Sequence, residues 1–417
     1  MTDIFLVPGV RTPFVKAGTH FAKQSALALS TPVAQAMAAR GRPDLLVWGQ
    51  VIPDPGVSNI ARELVFEANL DPELVAFSDV MACSTSFIGA LAAAGMVGRS
   101  DIHLALVGGV ETMSHRPIAL RPEKADQIAS LALHDTPAAL ALIQGVTPQD
   151  FLLPANAWAN RVSGRSMGEH TEDTAKLYQI SRVAQDKLAL ASHQNATRGR
   201  DQDGFFDDLV IAAFGVEHDT LPRPDTSLDR LAALPTVFDR SAAGTLTAGN
   251  SSPLTDGAAA LWVADATGVE RLGAPPAVKL VDYQVAAMAY DVEGILMAPA
   301  RAIPRLLARH RLAAGDIAVW ELHEAFAAQV LANIQAAMDP VYRRDHAKVD
   351  TDLGAFPFER LNRHGGSLAL GHPFAATGAR ILSQAAKELL AHPPGARAVV
   401  SICADGGQGT VALLERT

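Results

Sequence analysis

The sequence predicts an α/β fold made of two similar layered halves, the first of them interrupted by a long insertion. Three observations carry this reading. Short apolar strands alternate with helical stretches; the order of these elements recurs in the second half of the chain; and two loop–helix units, around Cys83 and around His372, fall at equivalent places in the two halves.

In the first half, Ile4 to Val7 reads as a strand with Arg11-Thr12-Pro13-Phe14 as its exit loop. Pro32 to Ala39 reads as a helix capped by Thr31, with Pro32 in the first turn, where a missing N–H costs nothing. Leu45 to Trp48 is expected to be the second strand, Asn59 to Ala68 a helix, and Val75 to Ser78 a third strand that leads into Met81-Ala82-Cys83-Ser84-Thr85-Ser86. Phe87 to Val97 is small and apolar, as a buried helix would be, and His103 to Val107 reads as a fourth strand ended by Gly108-Gly109.

The second half repeats this order. Val278 to Val281 answers to the first strand, Pro299 to His310 to the first helix, and Ala318-Val319-Trp320 to Val47-Trp48. Glu324 to Met338 is read as the next helix, His372 with the apolar helix Ile381 to Leu390 takes the place of Cys83 with its helix, and Ala398 to Ile402 takes the place of His103 to Val107. Here the chain passes through Cys403-Ala404-Asp405-Gly406-Gly407-Gln408-Gly409 straight into a last strand, Thr410 to Leu414. In the first half the same step runs from Gly109 to Asp256-Gly257-Ala258 before Ala259 to Val263 resumes the strand, so everything between is an insertion. It holds helical pieces at Glu172 to Tyr178 and, after a Ser181 cap, Arg182 to Arg198. The expected organisation is therefore residues 1–120, completed by 250–272, as the first half, 121–249 as an inserted substrate cover, and 273–417 as the second half.

At 417 residues the chain exceeds one ordinary core, and 49% apolar residues are ample for its interior. The formal charge of −9 is interspersed, which argues against a nucleic-acid surface. No apolar run approaches the ~20 residues that span a bilayer, and no leader-like pattern stands at the start, so a cytoplasmic location is expected. The two cysteines then read as reduced thiols, and neither has a partner at metal-ligand spacing. Leu131 to Trp158 is apolar for a connection; it reads as a membrane-surface or partner contact, or as a small helix packed on the body, with packing the favoured reading.

Chemistry enters at the two loops. Pro373 suits a first helical turn, which places His372 just outside a helix N-terminus, where the dipole disfavours imidazolium and keeps the ring a base. Cys83 precedes its own helix, and the same dipole is expected to stabilise its thiolate. Alone, Cys83 would read as a small buried hydrophobe and His372 as a structural histidine. Their joint placement reads as a thiol enzyme.

Five ordered stretches carry a family resemblance: Cys83-Ser84-Thr85-Ser86, Asn250-Ser251-Ser252-Pro253-Leu254-Thr255-Asp256-Gly257, His323-Glu324-Ala325-Phe326-Ala327, Gly371-His372-Pro373 and Cys403-Ala404-Asp405-Gly406-Gly407-Gln408-Gly409. Together they resemble the signatures of the thiolase family over nearly the full length. The resemblance implies a duplicated fold in five layers, α-β-α-β-α. It also implies acyl transfer in which His372 deprotonates Cys83, Cys83 carries the acyl group, and Cys403 acts as acid and base. One oxyanion hole would use His372 with a water held by His323, and the other the backbone N–H groups of Cys83 and Asp405. Asparagine is commoner in the family where this chain has His323; histidine there is similar to the branch that forms the thiolase subunit of the fatty-acid oxidation multienzyme complex, which implies medium or long acyl chains. Titration of His323 near about 6.5 would add an acid limb to the rate profile, beside one from His372. Asp405 stands where the family usually has glycine or alanine, and its carboxylate is expected to raise the pKa of Cys403.

By the same resemblance Ser252 and Arg223 would touch coenzyme A and Met167 would face the acyl end; Arg223 reads equally well as a solvated surface residue. Implied partners are acyl-CoA substrates, with coenzyme A as co-substrate and no resident cofactor or metal, further copies of the chain as a homodimer or homotetramer, and a hydratase/dehydrogenase subunit. The degradative 3-ketoacyl-CoA reaction leads, ahead of biosynthetic acetoacetyl-CoA formation and of a non-catalytic acyl-CoA-binding subunit.

Overall fold

A computed structural model describes residues 2–99, 101–152, 159–289 and 293–417. Its strands are β1 (Phe5–Val7), β2 (Val15–Lys16), β3 (Leu45–Gly49), β4 (Val75–Phe77), β5 (Leu104–Thr112), β6 (Ala119–Leu120), β7 (Phe151–Leu152), β8 (Thr255–Ala264), β9 (Val278–Ala287), β10 (Val319–Leu322), β11 (Arg397–Ala404) and β12 (Gln408–Arg416). All but the β6–β7 ribbon join in one path, β10-β11-β12-β9-β1-β8-β5-β3-β4, with β2 beside β8. The order is symmetric about the β9–β1 seam, so β12 answers to β8, β11 to β5 and β10 to β3. Those are the equivalences expected from the repeat. The pairing senses agree: β5–β8 and β11–β12 are antiparallel, β3–β5 and β10–β11 parallel. The seam itself is short, Phe5 opposite Lys279 and Leu6 opposite Val278.

Three large cores hold the five layers together, one under each outer helix layer and one around the central helices. Helices Ala26–Ala38 and Ile60–Glu67 cover one outer face around Trp48 and Trp262, and helices Ala298–Arg309 and Ala327–Met338 cover the other around Trp320. Between the halves, the Cys83 helix (Thr85–Met96) and the His372 helix (Phe374–Leu390) share a core that holds Phe87, Ile381 and Leu389. Each such side chain withdrawn from water contributes about 1.5–3 kcal/mol, enough to fix two helices with little polar surface. They approach closely at Gly378, where a Cβ would stand 2.3 Å from Phe87 N. Packing of the two central helices therefore sets how Cys83 and His372 face one another.

The first helix starts earlier than the sequence suggests. Ser25, not Thr31, is the cap, accepting from Ala28 N at 3.1 Å, and Pro32 lies inside the helix, while the Thr31 hydroxyl donates back to Leu27 O at 2.9 Å. An interior proline costs about 3 kcal/mol. Burial of Leu29, Val33 and Met37 on one face outweighs that. Pro304 sits at the matching place in Ala298–Arg309, so the duplication preserves the interior proline itself. The helix expected from Glu324 also starts later, at Ala327, because the residues before it are held by another segment: Ser251 bridges the extended Phe326, and Ser252 N donates to Ala325 O at 2.9 Å.

In the insertion, Ser166 and Ser181 cap helices Met167–Leu177 and Arg182–Asp201. The apolar stretch that begins at Leu131 falls on the end of helix Pro122–His134 and on helix Thr136–Gln144, and the expectation that it packs on the body is corrected. Leu133, Leu140 and Ile143 are 80%, 54% and 50% exposed, and of the two helices' residues Ala139 alone is buried. The apolar character of this stretch belongs to a surface, and periodicity alone could not say which way it faced. Leu153 to Trp158, the end of that stretch, lie outside the described residues. No described helix is long and apolar enough to cross a membrane.

Candidate active site

The turn before Cys83 is tight. Ala82 takes a left-handed φ of 46°, a conformation costly for a residue with a Cβ, and Thr85 holds it there, its hydroxyl donating to Ala82 O at 2.8 Å and accepting from Met81 N at 2.9 Å. Cys83 is thereby delivered to the mouth of its helix. Ser84 behind it donates to Thr410 Oγ1 on β12 at 2.8 Å, which ties this half to the other.

His372 is set by equally local means. Gly371 has a φ of 95°, and a Cβ there would collide with Leu221 and Thr255, so only glycine lets the chain turn at this point. The His372 N–H then donates to Thr255 Oγ1 at 3.0 Å, and its ring Nδ1 lies 2.7 Å from Thr377 Oγ1 one turn into the helix. His323 follows β10, its N–H donating to Ser401 O and its Nδ1 lying 2.9 Å from Ser367 Oγ. The rings of His323 and His372 stand 4.2 Å apart. Both Nε2 atoms are buried with no hydrogen-bond partner. One nitrogen of each ring and Cys83 Sγ all fall within 4.8 Å of one another, a ligand-like cluster that linear spacing did not foretell. Cys403, at the end of β11 before the left-handed Gly406 and Gly407, is buried, whereas Cys83 is partly exposed.

Electrostatics correct three expectations. Burial first, and the Asp405 carboxylate second, push the Cys83 thiol up to about 12, against the smaller help of the backbone N–H groups of Asp405 and Cys83. The resting group is therefore a thiol, not a dipole-stabilised thiolate, because desolvation outweighs the helix end. Burial, then Arg380, brings His372 down to about 3. Burial, then His372 and Arg380, hold His323 well below the ordinary histidine range. Neither histidine titrates near 6.5, so the acid limb expected there is not supported. Cys403 is raised well above its usual value by burial and then by Cys83; Asp405 is not among the causes, and its field falls on the other thiol. All four groups are uncharged at neutral pH. Proton transfer from Cys83 to His372 is thus coupled to attack, since the free ion pair is strongly disfavoured in so dry a site.

Asp405 Oδ1 accepts from Asn160 Nδ2 at 2.8 Å and from Gly406 N at 2.6 Å, which links the insertion to the Cys403 loop. Because this carboxylate raises the Cys83 pKa, Asp405→Asn is expected to shift the pH midpoint of Cys83 alkylation by iodoacetamide downward and to speed alkylation at neutral pH. An unmoved midpoint would remove Asp405 from control of the nucleophile.

Arg223 and Ser252 line a cavity of about 810 Å³ together with Lys16, Arg116, Phe238 and Leu254. Leu254 also bridges to His372 through the backbone, so the cavity adjoins the His372 loop, although none of the four reacting groups lines it, and its cations suit a phosphorylated ligand. Met167 does not line it; it packs against the core of the C-terminal half.

Sequence reasoning missed several residues behind these groups. Glu111 Oε1 and Oε2 accept from Ile52 N and Val51 N, and Oε2 meets Ala375 N at 3.5 Å in the first turn of the His372 helix. Burial lifts its carboxyl to about 8, against the backbone N–H groups that favour the charged form. A carboxylate in an otherwise apolar strand was the available signal. Ser367 and Arg380 were also passed over, one in a glycine-rich turn and the other in a helix whose apolar pattern drew attention.

Two family models cover the chain, the thiolase N-terminal domain over residues 4–267 and the thiolase C-terminal domain over residues 274–416. The chain is 37% identical over 427 residues to a 3-ketoacyl-CoA thiolase of Erwinia tasmaniensis, and 35% identical over 424 residues to one of Shewanella loihica, in each case across 99% of this chain and 96% of the relative. Among solved structures it resembles human mitochondrial 3-ketoacyl-CoA thiolase (TM-score 0.81, 27% identity, 100% of this chain and 99% of that one) and the Bacillus anthracis acetyl-CoA acetyltransferase (TM-score 0.81, 25% identity, with the same coverage).

Proposed function

From the premise that this chain belongs to the thiolase family, we infer that it is an acyltransferase that cleaves 3-ketoacyl-CoA with coenzyme A to acetyl-CoA and a shortened acyl-CoA. The observation that supports the reading best is the meeting of the partly exposed Cys83 with the buried His372 and His323 in one cluster beside Cys403.

In this mechanism His372 Nε2 takes the proton of Cys83 as Sγ attacks the 3-keto carbon. The C2–C3 bond then breaks, its electrons pass to C2 as the enolate of acetyl-CoA, and Cys403 S–H protonates C2. Acetyl-CoA leaves. The Cys403 thiolate next deprotonates the thiol of a second coenzyme A, which attacks the Cys83 thioester and expels Cys83; the departing sulfur recovers its proton from His372. Charge on the thioester oxygen of the enolate would be met by His372 and by a water held at His323, and charge on the acyl oxygen by the Cys83 and Asp405 backbone N–H groups, both of which are directed at Cys83 Sγ. The cationic cavity with Arg223 and Ser252 would hold coenzyme A, the single co-substrate, with no resident cofactor or metal.

Medium or long acyl chains are the proposed substrates. Thiolysis measured across a series of 3-ketoacyl-CoA lengths tests this, and activity confined to acetoacetyl-CoA would favour the biosynthetic reading. A homo-oligomer is part of the proposal, supported by the edge strand β4, where Val75 and nearby Val80 are exposed. Sedimentation giving only a 43.9 kDa species would count against it. A cytoplasmic location and a hydratase/dehydrogenase partner complete the reading, and a pull-down with such a subunit tests the latter.

A further inference from the structure

His323 is held from behind by a hydroxyl that is itself held by a cation. Arg380 Nη2 donates to Ser367 Oγ at 2.8 Å, and Ser367 Oγ lies 2.9 Å from His323 Nδ1. A guanidinium can only donate, so one lone pair of the serine oxygen is taken. Were the imidazole proton on Nδ1, the hydroxyl would accept twice and its own hydrogen would be buried without an acceptor, since Ser367 Oγ has no third partner among the described residues. With the proton on Nε2, Ser367 donates to Nδ1, and both the hydroxyl and Nδ1 are satisfied. The cation also polarises the hydroxyl and makes it the better donor. Among the described residues no guanidinium donates to Thr377, so the analogous contact at His372 carries no such bias and leaves that ring free to present a lone pair to Cys83.

We propose that Ser367, gripped by Arg380, is a positioning residue that holds His323 in the tautomer with its proton on Nε2, aimed into the reaction space beside His372. This role presupposes the oxyanion function assigned to His323: the opposite tautomer would turn a lone pair, not a proton, toward the developing negative charge. His323 Nε2 is buried and unpartnered, as a donor awaiting a substrate-borne acceptor or its water would be.

The test is steady-state thiolysis by Ser367→Ala, Ser367→Thr, His323→Ala, His323→Asn and the Ser367→Ala/His323→Asn double variant, with thermal melts alongside. Loss of an oxyanion donor costs roughly 10²–10³ in rate, so His323→Ala is expected to fall in that range and His323→Asn, whose amide still donates, well short of it. Ser367→Ala is expected to lower kcat by roughly 2- to 10-fold, less than His323→Ala, with KM unchanged, because part of the tautomer population and of the ring's fixed orientation is lost. Threonine keeps the hydroxyl and is expected to restore kcat. In the His323→Asn background, where no tautomer exists to set, Ser367→Ala is expected to add little. In ¹⁵N-histidine-labelled enzyme the His323 Nε2 signal should be of the protonated type, and should move toward the average of both tautomers in Ser367→Ala. Full activity in Ser367→Ala beside a crippled His323→Ala overturns the role of Ser367 alone. An equal loss in the His323→Asn background does so too, by showing that the serine is merely structural. Full activity in His323→Ala overturns the oxyanion reading and this role with it.

Discussion

Cys83→Ser is expected to reduce thiolysis by about 10⁴-fold or more while coenzyme A binding persists. The resting thiol already stands at about 12 under burial and the Asp405 charge, and His372, brought down to about 3, is a weak base for it. A serine hydroxyl is far harder to ionise than a thiol in the same dry turn, so the same imidazole cannot drive attack. Serine nearly preserves the volume, and the Ser84–Thr410 and Thr85–Ala82 bonds that shape the loop involve other side chains. Intact-mass analysis of the wild-type chain with acyl-CoA should show one acyl adduct on Cys83, absent from the variant. An adduct on Cys403 would reverse the roles of the two thiols.

For Cys403→Ala the expected result is a split between half-reactions. General acid–base groups contribute roughly 10²–10⁴ in rate, and both C2 protonation and coenzyme A deprotonation are assigned to this one thiol. Thiolysis should fall within that range, while slow acylation of Cys83 from a simple acyl-CoA thioester continues. Rapid-quench measurement of each half-reaction checks this; an equal loss in both would make Cys403 a packing residue.

Local chemistry in the sequence determined a great deal about this protein. The recurrence of elements sufficed for the equivalences of β12 with β8, β11 with β5 and β10 with β3, because each apolar run of a duplicated chain has one partner at the same point in the other half. The glycines and small residues around Cys83, His372 and Cys403 marked reactive loops, because Gly371, Gly406 and Gly407 adopt backbone angles that few other residues accept. Residue-level rules failed where burial competed with them. Pro32 resembled a helix start and lies mid-helix, and the exposed Leu133 and Leu140 resembled core.

What tertiary structure alone decided is the protonation of the site and the identity of the residues that stand behind it. A pKa depends on the water removed and the charges brought near by distant segments, so a helix N-terminus that promised a thiolate at Cys83 yields a thiol once burial and Asp405 act on it. The hold of Arg380 on Ser367, and of Ser367 on His323, joins β10 to the turn before the His372 helix and to that helix itself. No local pattern encodes such a contact, because it exists only when the segments that follow β10 fold back against it.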